Sequence, residues 1–369
     1  MSLTASAIKA RALEAGFDLC GVAAAGDFPE LGFLREWIDR GRAGEMRYLE
    51  RSAARRADVR RVLPSARSVI VLATLYNTDR PYSTEVTDEE RAEVSRYAWG
   101  DDYHEVLGRR VGQLLEWMRA ESDEPFEARW YVDTGPVQER VYAQYAGLGW
   151  IGKNTCLINP TLGSWLFLSE LIVSLPLDAD EPGLDRCGTC TLCLEACPTG
   201  AFVGPHVLDA TRCISYLTIE LKGAIPEPQR EAVGRHVYGC DICQEVCPWN
   251  LHAAVSLRAE WQPRPEFDRP RLVDLWRASD DRLREALRGS AMSRAKLTGI
   301  RRNVAVAIGN AGGAETARVL DDPDVAGDAA SASRRDTMVR EHVEWARGRS
   351  KRSGPERVER VEGPPPGEQ

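Results

Sequence analysis

Hydrophobic positions in the first half of the chain alternate between a strand-like and a helix-like period. Residues 68–76 form an unbroken apolar run rich in β-branched side chains, which predicts a buried strand. Over 102–120, apolar residues recur every three or four positions, which predicts an amphipathic helix. The same alternation predicts further helices at 8–15, 33–40, 46–51 and 137–148, and further strands at 17–23, 126–132 and 166–175.

Strands that alternate with helices indicate an α/β layer architecture, predicted here for residues 1–178. The polar, proline-containing segment 79–90 is predicted to be a mobile loop within it. Residues 179–255 are rich in turns and cysteines and predict a small second domain. From 256 the pattern is helical, and 301–312 is similar to the second helix of a HEAT-like repeat. We expect 283–320 and 336–347 to complete a helical region over 256–350, and 351–369 to be a disordered tail.

Composition is that of a globular protein, with 43% hydrophobic and 28% charged residues. No apolar window long enough for a membrane span and no signal-peptide pattern is present, so we expect a cytoplasmic protein. The net charge of −8 argues against indiscriminate nucleic-acid binding. Residues 255–302, however, contain eleven Arg and one Lys against seven acidic residues, and 334–360 is again rich in Arg. Either a solvated helical face or a local surface for a selective RNA partner would account for this asymmetry.

Eight cysteines fall into two runs, and each run ends in Cys-Pro. The first run has the C-x2-C-x2-C-x3-C-P spacing by which bacterial ferredoxins bind iron–sulfur clusters. The second run ends in the same way, but 26 residues separate its first two cysteines. The first run is Cys187, Cys190, Cys193 and Cys197, and the second is Cys213, Cys240, Cys243 and Cys247.

Eight thiolates are enough for two [4Fe–4S] clusters, so the motifs predict electron transfer. In two-cluster ferredoxins the last cysteine of each run binds the other cluster. Zinc sites usually show two C-x2-C pairs, and a disulfide scaffold does not suit a chain of this length. The insertion 214–239 is predicted to carry a helix beside a cluster. The predicted ligand sets are Cys187, Cys190, Cys193 and Cys247 for one cluster, and Cys197, Cys213, Cys240 and Cys243 for the other.

Two polar segments are further candidates for chemistry. Asp133 follows a predicted strand and precedes a Thr-Gly-Pro turn, where α/β folds place catalytic groups. Beside apolar walls its pKa would be raised and it could donate a proton, or it could simply cap the helix that starts near Pro136. In residues 95–104, Asp102 is predicted to cap a helix. Residues 147–154 nearly match a phosphate-binding loop, but Asn154 stands where that loop needs a hydroxyl residue.

Together these segments resemble the epoxyqueuosine reductases, a family of cobalamin-dependent iron–sulfur enzymes of tRNA modification. The resemblance covers nearly all of the chain up to about residue 320. It rests on Asp-Tyr-His at 102–104, Val-Asp-Thr-Gly-Pro at 132–136, Gly-Trp-Ile-Gly-Lys-Asn at 149–154, Gly-Ser-Trp at 163–165, the double cysteine motif and the helical tail.

The resemblance implies reduction of epoxyqueuosine to queuosine at the wobble position of tRNA, the last step of queuosine synthesis. It implies a cobalamin-binding N-terminal domain, with two [4Fe–4S] clusters that reduce the cobalamin to Co(I), and Asp133 as the acid that protonates the epoxide oxygen. Ser95 stands where some family members carry Cys. The implied cobalamin contacts are Arg56, Ser95, Asp133, Lys153, Asn154, Ser215 and Asp241.

The partners implied are the anticodon stem-loop of tRNA and an unidentified low-potential electron donor, for a protein that we expect to be a monomer away from membranes. Two other interpretations remain at this stage. One is a related cobalamin and iron–sulfur reductase of small molecules, such as a reductive dehalogenase, which would not need a basic helical tail. The other is a non-catalytic electron-transfer module, which would leave the large N-terminal domain without a role.

Overall fold

The computed structural model describes residues 3–322 and 332–352. The predicted disordered tail lies outside these residues, except for 351 and 352, which belong to the last helix. The strands are β1 (Leu19–Ala24), β2 (Ser68–Leu75), β3 (Glu93–Val94), β4 (Ala128–Tyr131), β5 (Trp150–Ile151), β6 (Leu157–Ile158), β7 (Leu166–Val173), β8 (Phe202–Gly204), β9 (Val207–Leu208) and β10 (His236–Tyr238). The helices are α1 (Ala5–Glu14), α2 (Phe33–Asp39), α3 (Arg47–Arg56), α4 (Tyr103–Glu121), α5 (Glu139–Tyr145), α6 (Leu192–Glu195), α7 (Glu227–Arg230), α8 (Ile242–Glu245), α9 (Leu272–Arg277), α10 (Asp280–Leu287), α11 (Lys296–Asn310), α12 (Ala314–Arg318) and α13 (Thr337–Arg352).

A four-stranded sheet of order β1-β2-β7-β4 forms the centre of the N-terminal domain. All residues of β2 are buried, as its continuous apolar run predicts, because helices cover both faces of the sheet. Ile70 and Leu72 pack with α4, and Val69 and Val71 pack with α5. Strands and helices alternate along the chain as predicted, but every neighbouring strand pair in this sheet is antiparallel, which places the domain closer to α+β than to a parallel α/β fold.

The cysteine-rich segment has little regular structure: two short helices, α6 and α8, and the β8–β9 hairpin. The insertion between the first two cysteines of the second run contains a π-helical turn (Tyr216–Glu220), α7 and β10. The helical prediction for this insertion is therefore confirmed for short turns only. Its last strand, β10, pairs in parallel with β3, so the insertion also ties the cysteine-rich segment to the N-terminal domain.

The polar segment 79–90 is anchored to the cysteine-rich domain. The backbone N–H groups of Ser83 and Thr84 donate to the Glu245 carboxylate on α8 at 2.7 and 3.1 Å, and the Ser83 hydroxyl donates to the same group at 2.7 Å. Three hydrogen bonds to one buried carboxylate hold the segment in a defined conformation. In the described part of the chain, no helix has the length and apolar character needed to cross a bilayer.

The C-terminal region is helical, as predicted, and is built around α11. This helix packs against α13 where Gly309 meets Trp345 and Ala346, and a Cβ at Gly309 would come within 2.7–2.9 Å of both residues. Small residues thus allow close contact between the two helices. Three polar residues in the middle of α11 are buried as well, since Arg301, Arg302 and Asn303 are at most 1% exposed.

Two buried side chains of α11 fasten the helical region to the insertion. The Arg302 guanidinium donates to the carbonyls of Leu217, Leu221 and Gly223 at 2.6–2.8 Å. Asn303 donates to two further backbone carbonyls, at residues 218 and 237, at 2.8 Å each. Because irregular backbone has no helical or sheet partners for its carbonyls, these donors replace the hydrogen bonds that regular structure would supply.

Substitution Arg302→Met is expected to destabilise the protein, because it leaves one buried and two partly buried carbonyls without donors. At about 1–3 kcal/mol for each unsatisfied group, we expect a loss of roughly 3 kcal/mol or more and a melting temperature lower by several degrees. Arg35→Met is the matched control, because Arg35 pairs with Asp39 on an exposed surface and such pairs contribute about 0–1 kcal/mol. Equal melting temperatures for the two variants by circular dichroism would contradict the conclusion that Arg302 fastens the helical region to the insertion.

Candidate active site and cluster domain

The thiols of the first predicted ligand set lie close to one another. Burial raises the pKa of Cys193, and the neighbouring Cys187 and Cys190 thiols raise it further. Burial likewise raises the pKa of Cys247 to about 11, with contributions from Cys187 and Cys193. Cys247 belongs to the second run of the sequence, so the chain folds back and places it among three cysteines of the first run.

The second predicted set is arranged in the same way. Burial raises the pKa of Cys213, and the neighbouring Cys197 raises it further. Burial also raises the pKa of Cys240, and the neighbouring Cys213 adds to this increase. The pKa of Cys243 is raised by a hydrogen bond with Cys156, by burial, and by Cys240 and Cys213. Cys156, which belongs to neither cysteine run, is therefore a half-buried thiol in direct contact with this set.

Both groups suit a cluster better than a single metal ion. Among the described residues, no three His, Cys, Asp or Glu side chains converge closely enough to hold one ion, as a zinc site requires. Four thiols are the donor set that a [4Fe–4S] cluster takes. Such thiols bind as thiolates, so the raised pKa values of Cys193 and Cys247 in one set, and of Cys213, Cys240 and Cys243 in the other, imply that a cluster would bind with proton release.

Lys153 and Asn154 lie against the cysteine-rich loops. The Lys153 ammonium donates to the carbonyls of Gly188 and Cys190 at 2.7 and 2.9 Å. Asn154 is buried and donates to the carbonyl of Cys243 at 3.2 Å. The strand β5, rather than a helix N-terminus, occupies the middle of segment 147–154, so the structure agrees with rejecting a phosphate-binding loop.

Ser95 and Asp241 form a buried pair beside the second thiol set. The Ser95 hydroxyl donates to one Asp241 oxygen at 2.5 Å, and the Arg96 backbone N–H donates to the other at 2.6 Å. Asp241 directly follows Cys240, and the Ser215 hydroxyl and N–H are hydrogen-bonded to the Cys213 sulfur. Three of the residues that the resemblance implies for cobalamin therefore surround this thiol set.

Asp133 stands on a strained turn at the end of β4. Its φ of +58° lies in the left-handed region, which non-glycine residues adopt rarely and often at functional sites. The turn packs so tightly that a Cβ at Gly135 would come within 2.2 Å of the Tyr131 ring. Helix α5 begins only at Glu139 with Gln138 as its N-cap, so Asp133 does not cap it. The Asp133 side chain remains 58% exposed.

His104 links Asp133 to the start of α4. Asp102 caps α4 as predicted, accepting from the backbone N–H of His104 at 3.0 Å, and it also contacts the ring Nδ1 at 2.7 Å. The other ring nitrogen, Nε2, lies 3.3 Å from an Asp133 oxygen. Stacking on Tyr103, with ring centroids 4.0 Å apart, fixes the imidazole between the two carboxylates.

The electrostatics reverse one prediction. Partial burial tends to raise the pKa of Asp133, but hydrogen bonds with His104 and Tyr103 and the charges of His104 and Arg140 lower it below its ordinary value. The raised pKa expected from the sequence is wrong because that expectation counted apolar walls and omitted His104. Burial would lower the pKa of His104, whereas its contacts with Asp102 and Asp133 raise it to about 9. At neutral pH the pair is thus an ionised carboxylate beside an imidazolium that carries the proton.

Several residues around Asp133 carry no functional signal in the sequence. The exposed ring of Tyr48 lies under the Arg294 guanidinium, whose carbon is 5.5 Å from the ring centroid. Arg294 is in turn held by two hydrogen bonds to Glu220, at 2.9 and 3.1 Å. Burial raises the pKa of Tyr48, and charges at Glu220, Arg294 and Asp133 also act on it. These residues come from α3, the π-helical turn and the segment before α11, so no local sequence pattern joins them.

Asp133 and the second thiol set face the same region from two sides. The π-helical turn starts next to Cys213 and ends at Glu220, within electrostatic range of Tyr48 and thus of the Asp133 site. A second connection runs through Tyr97, whose hydroxyl is 3.3 Å from that of Tyr238, two residues before Cys240. Asp133 contributes to the high pKa of Tyr97, which burial chiefly causes. Aromatic side chains thus separate the acid from the thiols.

Many arginines of the basic stretch serve internal contacts. Arg301 is completely buried and donates to backbone carbonyls at the C-terminus of α9. Arg258, Arg264 and Arg271 pair with acidic residues of the N-terminal domain. The local positive charge predicted from the sequence is therefore largely neutralised by the fold, and Arg294 is one of the few placed beside the site.

Two family models match the chain. The one described as "4Fe-4S double cluster binding domain" matches residues 186–250, and the one described as "Epoxyqueuosine reductase QueG, DUF1730" matches residues 56–134. The first covers both cysteine runs, so the prediction of a double-cluster domain is confirmed. The second begins at Arg56 and ends directly after Asp133, and thus includes both His104 and Asp133.

Curated relatives and solved structures match over most of the chain. The epoxyqueuosine reductase of Pseudomonas aeruginosa is 42% identical over 93% of both chains, and that of Escherichia coli is 37% identical over 93% of this chain and 88% of its own. A crystal structure of epoxyqueuosine reductase with an epoxyqueuosine-modified tRNA stem loop has a TM-score of 0.81 and 31% identity, covering 94% of this chain and 89% of that one. A Bacillus subtilis structure, described with its catalytic aspartate loop swung out of the active site, has a TM-score of 0.82 and 30% identity, covering 94% and 90%. With this identity along nearly its whole length, and the same fold around both cysteine runs, the chain belongs to the epoxyqueuosine reductase family.

Proposed function

We propose that this protein reduces epoxyqueuosine to queuosine in tRNA, with electrons delivered through two [4Fe–4S] clusters. The observation that carries the proposal is the Asp133–His104 pair, which holds a proton on one side of a site whose other side carries the second thiol set. Family membership favours this reaction over the two alternatives, a small-molecule reductase and a non-catalytic electron carrier. The physiological electron donor, monomeric state and cytoplasmic location remain expectations.

The reaction has a fixed demand for protons and electrons. Converting an epoxide to an alkene breaks two C–O bonds, consumes two electrons and two protons, and releases the oxygen as water. The oxygen takes one proton when the ring opens and the second when it leaves. The Asp133–His104 pair is held where a proton can be given to an oxygen entering from solvent, because the Asp133 carboxylate is exposed and His104 is protonated beside it.

The donor set also suits a cobalamin, which would supply the strong nucleophile for ring opening. A corrin needs polar partners for its amide arms and a floor that shields its faces. Ser95, Asp241 and Ser215 would contact it beside the second thiol set, and Arg56 and Asp133 would approach it from the N-terminal domain. Arg56 is oriented for this role by hydrogen bonds to Ser52 and to the carbonyl of Val137 at 3.0 and 2.7 Å. Lys153 and Asn154 would act indirectly, since both bind cluster-loop carbonyls.

The tRNA would be recognised through its anticodon loop. Single-stranded loops can present a splayed nucleotide, which proteins hold by aromatic stacking and by arginine contacts with phosphate. Tyr48 and Arg294 offer an exposed ring and a guanidinium at the edge of the Asp133 site. The helical region 256–350 would contribute mainly through Arg294, because this arginine stays 53% exposed over the Tyr48 ring although it pairs with Glu220.

The crossed assignment of ligands is tested by pairs of substitutions. In the crossed assignment, the double variant Cys247→Ala, Cys190→Ala removes two ligands of the same cluster. The other cluster is left intact, so the reconstituted protein should keep about half of its iron, or about four atoms. The double variant Cys247→Ala, Cys240→Ala removes one ligand from each cluster and should retain much less iron. Iron and sulfide analysis after anaerobic reconstitution distinguishes the two variants. The reverse order of iron content would show that each run holds its own cluster.

Asp133→Asn should abolish most turnover while leaving binding intact. The amide keeps the shape of the side chain but cannot pass a proton, and general acids typically contribute about 10²–10⁴ in rate. The measurement is single turnover with tRNA carrying epoxyqueuosine under anaerobic conditions, read by mass spectrometry for loss of one oxygen. Asp101→Asn, which changes an exposed residue paired with Arg264, should react at the wild-type rate. Full activity of the Asp133 variant would remove it as the acid.

Arg294→Met should weaken binding of the anticodon stem-loop without changing cluster content. Loss of one phosphate contact is expected to reduce the slope of log affinity against log salt by about 0.7 for single-stranded RNA. Fluorescence anisotropy at several salt concentrations measures this slope. Arg284→Met is the control, because Arg284 is an exposed residue of α10 paired with Asp281. Identical slopes for both variants would show that Arg294 does not contact the RNA.

A further inference from the structure

A pair of glutamates lies directly behind the Asp133 turn. Glu170 is in the middle of β7, completely buried, and pairs across the sheet with Tyr131 of β4 and Val71 of β2. Side chains alternate along a strand, and Leu168 and Ile172, on either side of Glu170, pack in the core formed with α5. The Glu170 carboxyl therefore points toward α5, whose first residue is Glu139.

The contacts of these two carboxyl groups require a proton. Glu139 and Glu170 are within hydrogen-bonding distance of each other, and Glu139 also accepts from the backbone N–H of Asp133. Among the described residues, no donor reaches either oxygen of Glu170 or the buried Oε1 of Glu139. Two ionised carboxylates would repel each other in this position, and burying an unpaired charge is costly. At least one of the two must hold a proton to make the bond between them.

The surrounding charges are consistent with a protonated pair. Burial raises the pKa of Glu170 well above its ordinary value, and the charges of Glu139 and Asp133 raise it further. Burial, followed by the Asp133 charge, raises the pKa of Glu139 to about 8. The opposing positive groups are Arg56, from α3, which lowers both pKa values, and Arg140, from α5, which lowers that of Glu139. A proton is therefore retained at neutral pH next to an ionised Asp133.

We propose that Glu139 and Glu170 form a proton store that recharges Asp133 within each turnover. The inference rests on the proposed function, in which one oxygen must receive two protons. His104 supplies the first through Asp133 as the epoxide C–O bond breaks, and the store then returns a proton to the Asp133–His104 pair. Asp133 delivers that second proton as the remaining C–O bond breaks and water leaves, while two electrons from the donor complete the alkene. The store is refilled from solvent after the tRNA departs.

The test uses Glu170→Gln and Glu139→Gln in the reconstituted holoenzyme. Gln keeps the shape of Glu and can hydrogen-bond to the remaining carboxyl group, but it carries no transferable proton. Single turnover by Glu170→Gln should be slower by about tenfold or more. In the wild type, the rate should fall as pH rises through about 8, because Glu139 then loses its proton. In Glu170→Gln this alkaline limb should move towards about 9, where His104 titrates. If the alkaline limb of the pH profile lies at the same pH in the wild type and in both variants, the proposed proton store is wrong.

A second readout does not depend on turnover. The carbonyl band of a protonated carboxylic acid is visible in the infrared, and at about pH 7.5 the wild type should show it. Glu170→Gln should lose most of this band, and Glu139→Gln should shift it. Glu93→Gln is the matched control, since Glu93 is a buried carboxyl placed between Arg235 and Arg269, and burial raises its pKa to about 7. At about pH 7.5 most of Glu93 is ionised, so this variant should keep most of the band and the alkaline limb of the pH profile.

The outcomes separate the store from the function itself. Absence of the band in the wild type, or its persistence in both glutamine variants, would overturn the store even if tRNA is converted. No conversion of epoxyqueuosine by the wild-type holoenzyme would instead overturn the proposed function. Cluster absorbance and melting temperature show whether each variant is folded. If Glu170→Gln loses its clusters as well as its activity, its rate is not informative, and the rate of Glu139→Gln and the infrared band decide instead.

Discussion

The return of the chain to the second thiol set is the constraint on which the rest of the structure depends. Cys213 and Cys240 must lie together although 26 residues separate them. The backbone between them cannot form one regular element, so its carbonyls need donors from elsewhere. Arg302 and Asn303 supply five of these hydrogen bonds from α11, and β10 closes the loop by pairing with β3. One insertion thus positions a ligand set and joins the three parts of the chain.

The same insertion also fixes the candidate site. Its π-helical turn starts beside a ligand and ends at Glu220, which holds Arg294 over Tyr48. π-Helical turns are rare and occur often at functional sites, because the extra residue in the turn redirects side chains. A group bound beside Ser215 would therefore share its surroundings with Tyr48 and Arg294, which we propose to contact the tRNA, and the position of each depends on the same backbone segment.

The cysteine runs and the long strands were predictable from the sequence because spacing and period record local geometry. The double-cluster domain follows from fixed ligand spacing, and β2 follows from an apolar run. The antiparallel order of the sheet was not predictable, because pairing depends on where distant segments meet. The pKa of Asp133 was mispredicted for the same reason: the group that lowers it, His104, is 29 residues away in the chain. The buried Glu170 lies in a mostly apolar strand next to Ser169, and nothing in that local sequence indicates which residue its carboxyl group contacts.

The site separates the supply of electrons from the supply of protons. The thiol sets occupy one side, and the carboxyl groups and His104 occupy the other, with Tyr97 and Tyr238 between them. Such separation has a physical consequence, because reduced clusters add negative charge and a proton donor close to them would become a weaker acid. Placing the ionisable groups behind the β4 turn, near Arg56 and Arg140, keeps their protons available to the substrate oxygen. The arrangement favours delivery of protons to the epoxide over their loss to the reduced metal centre.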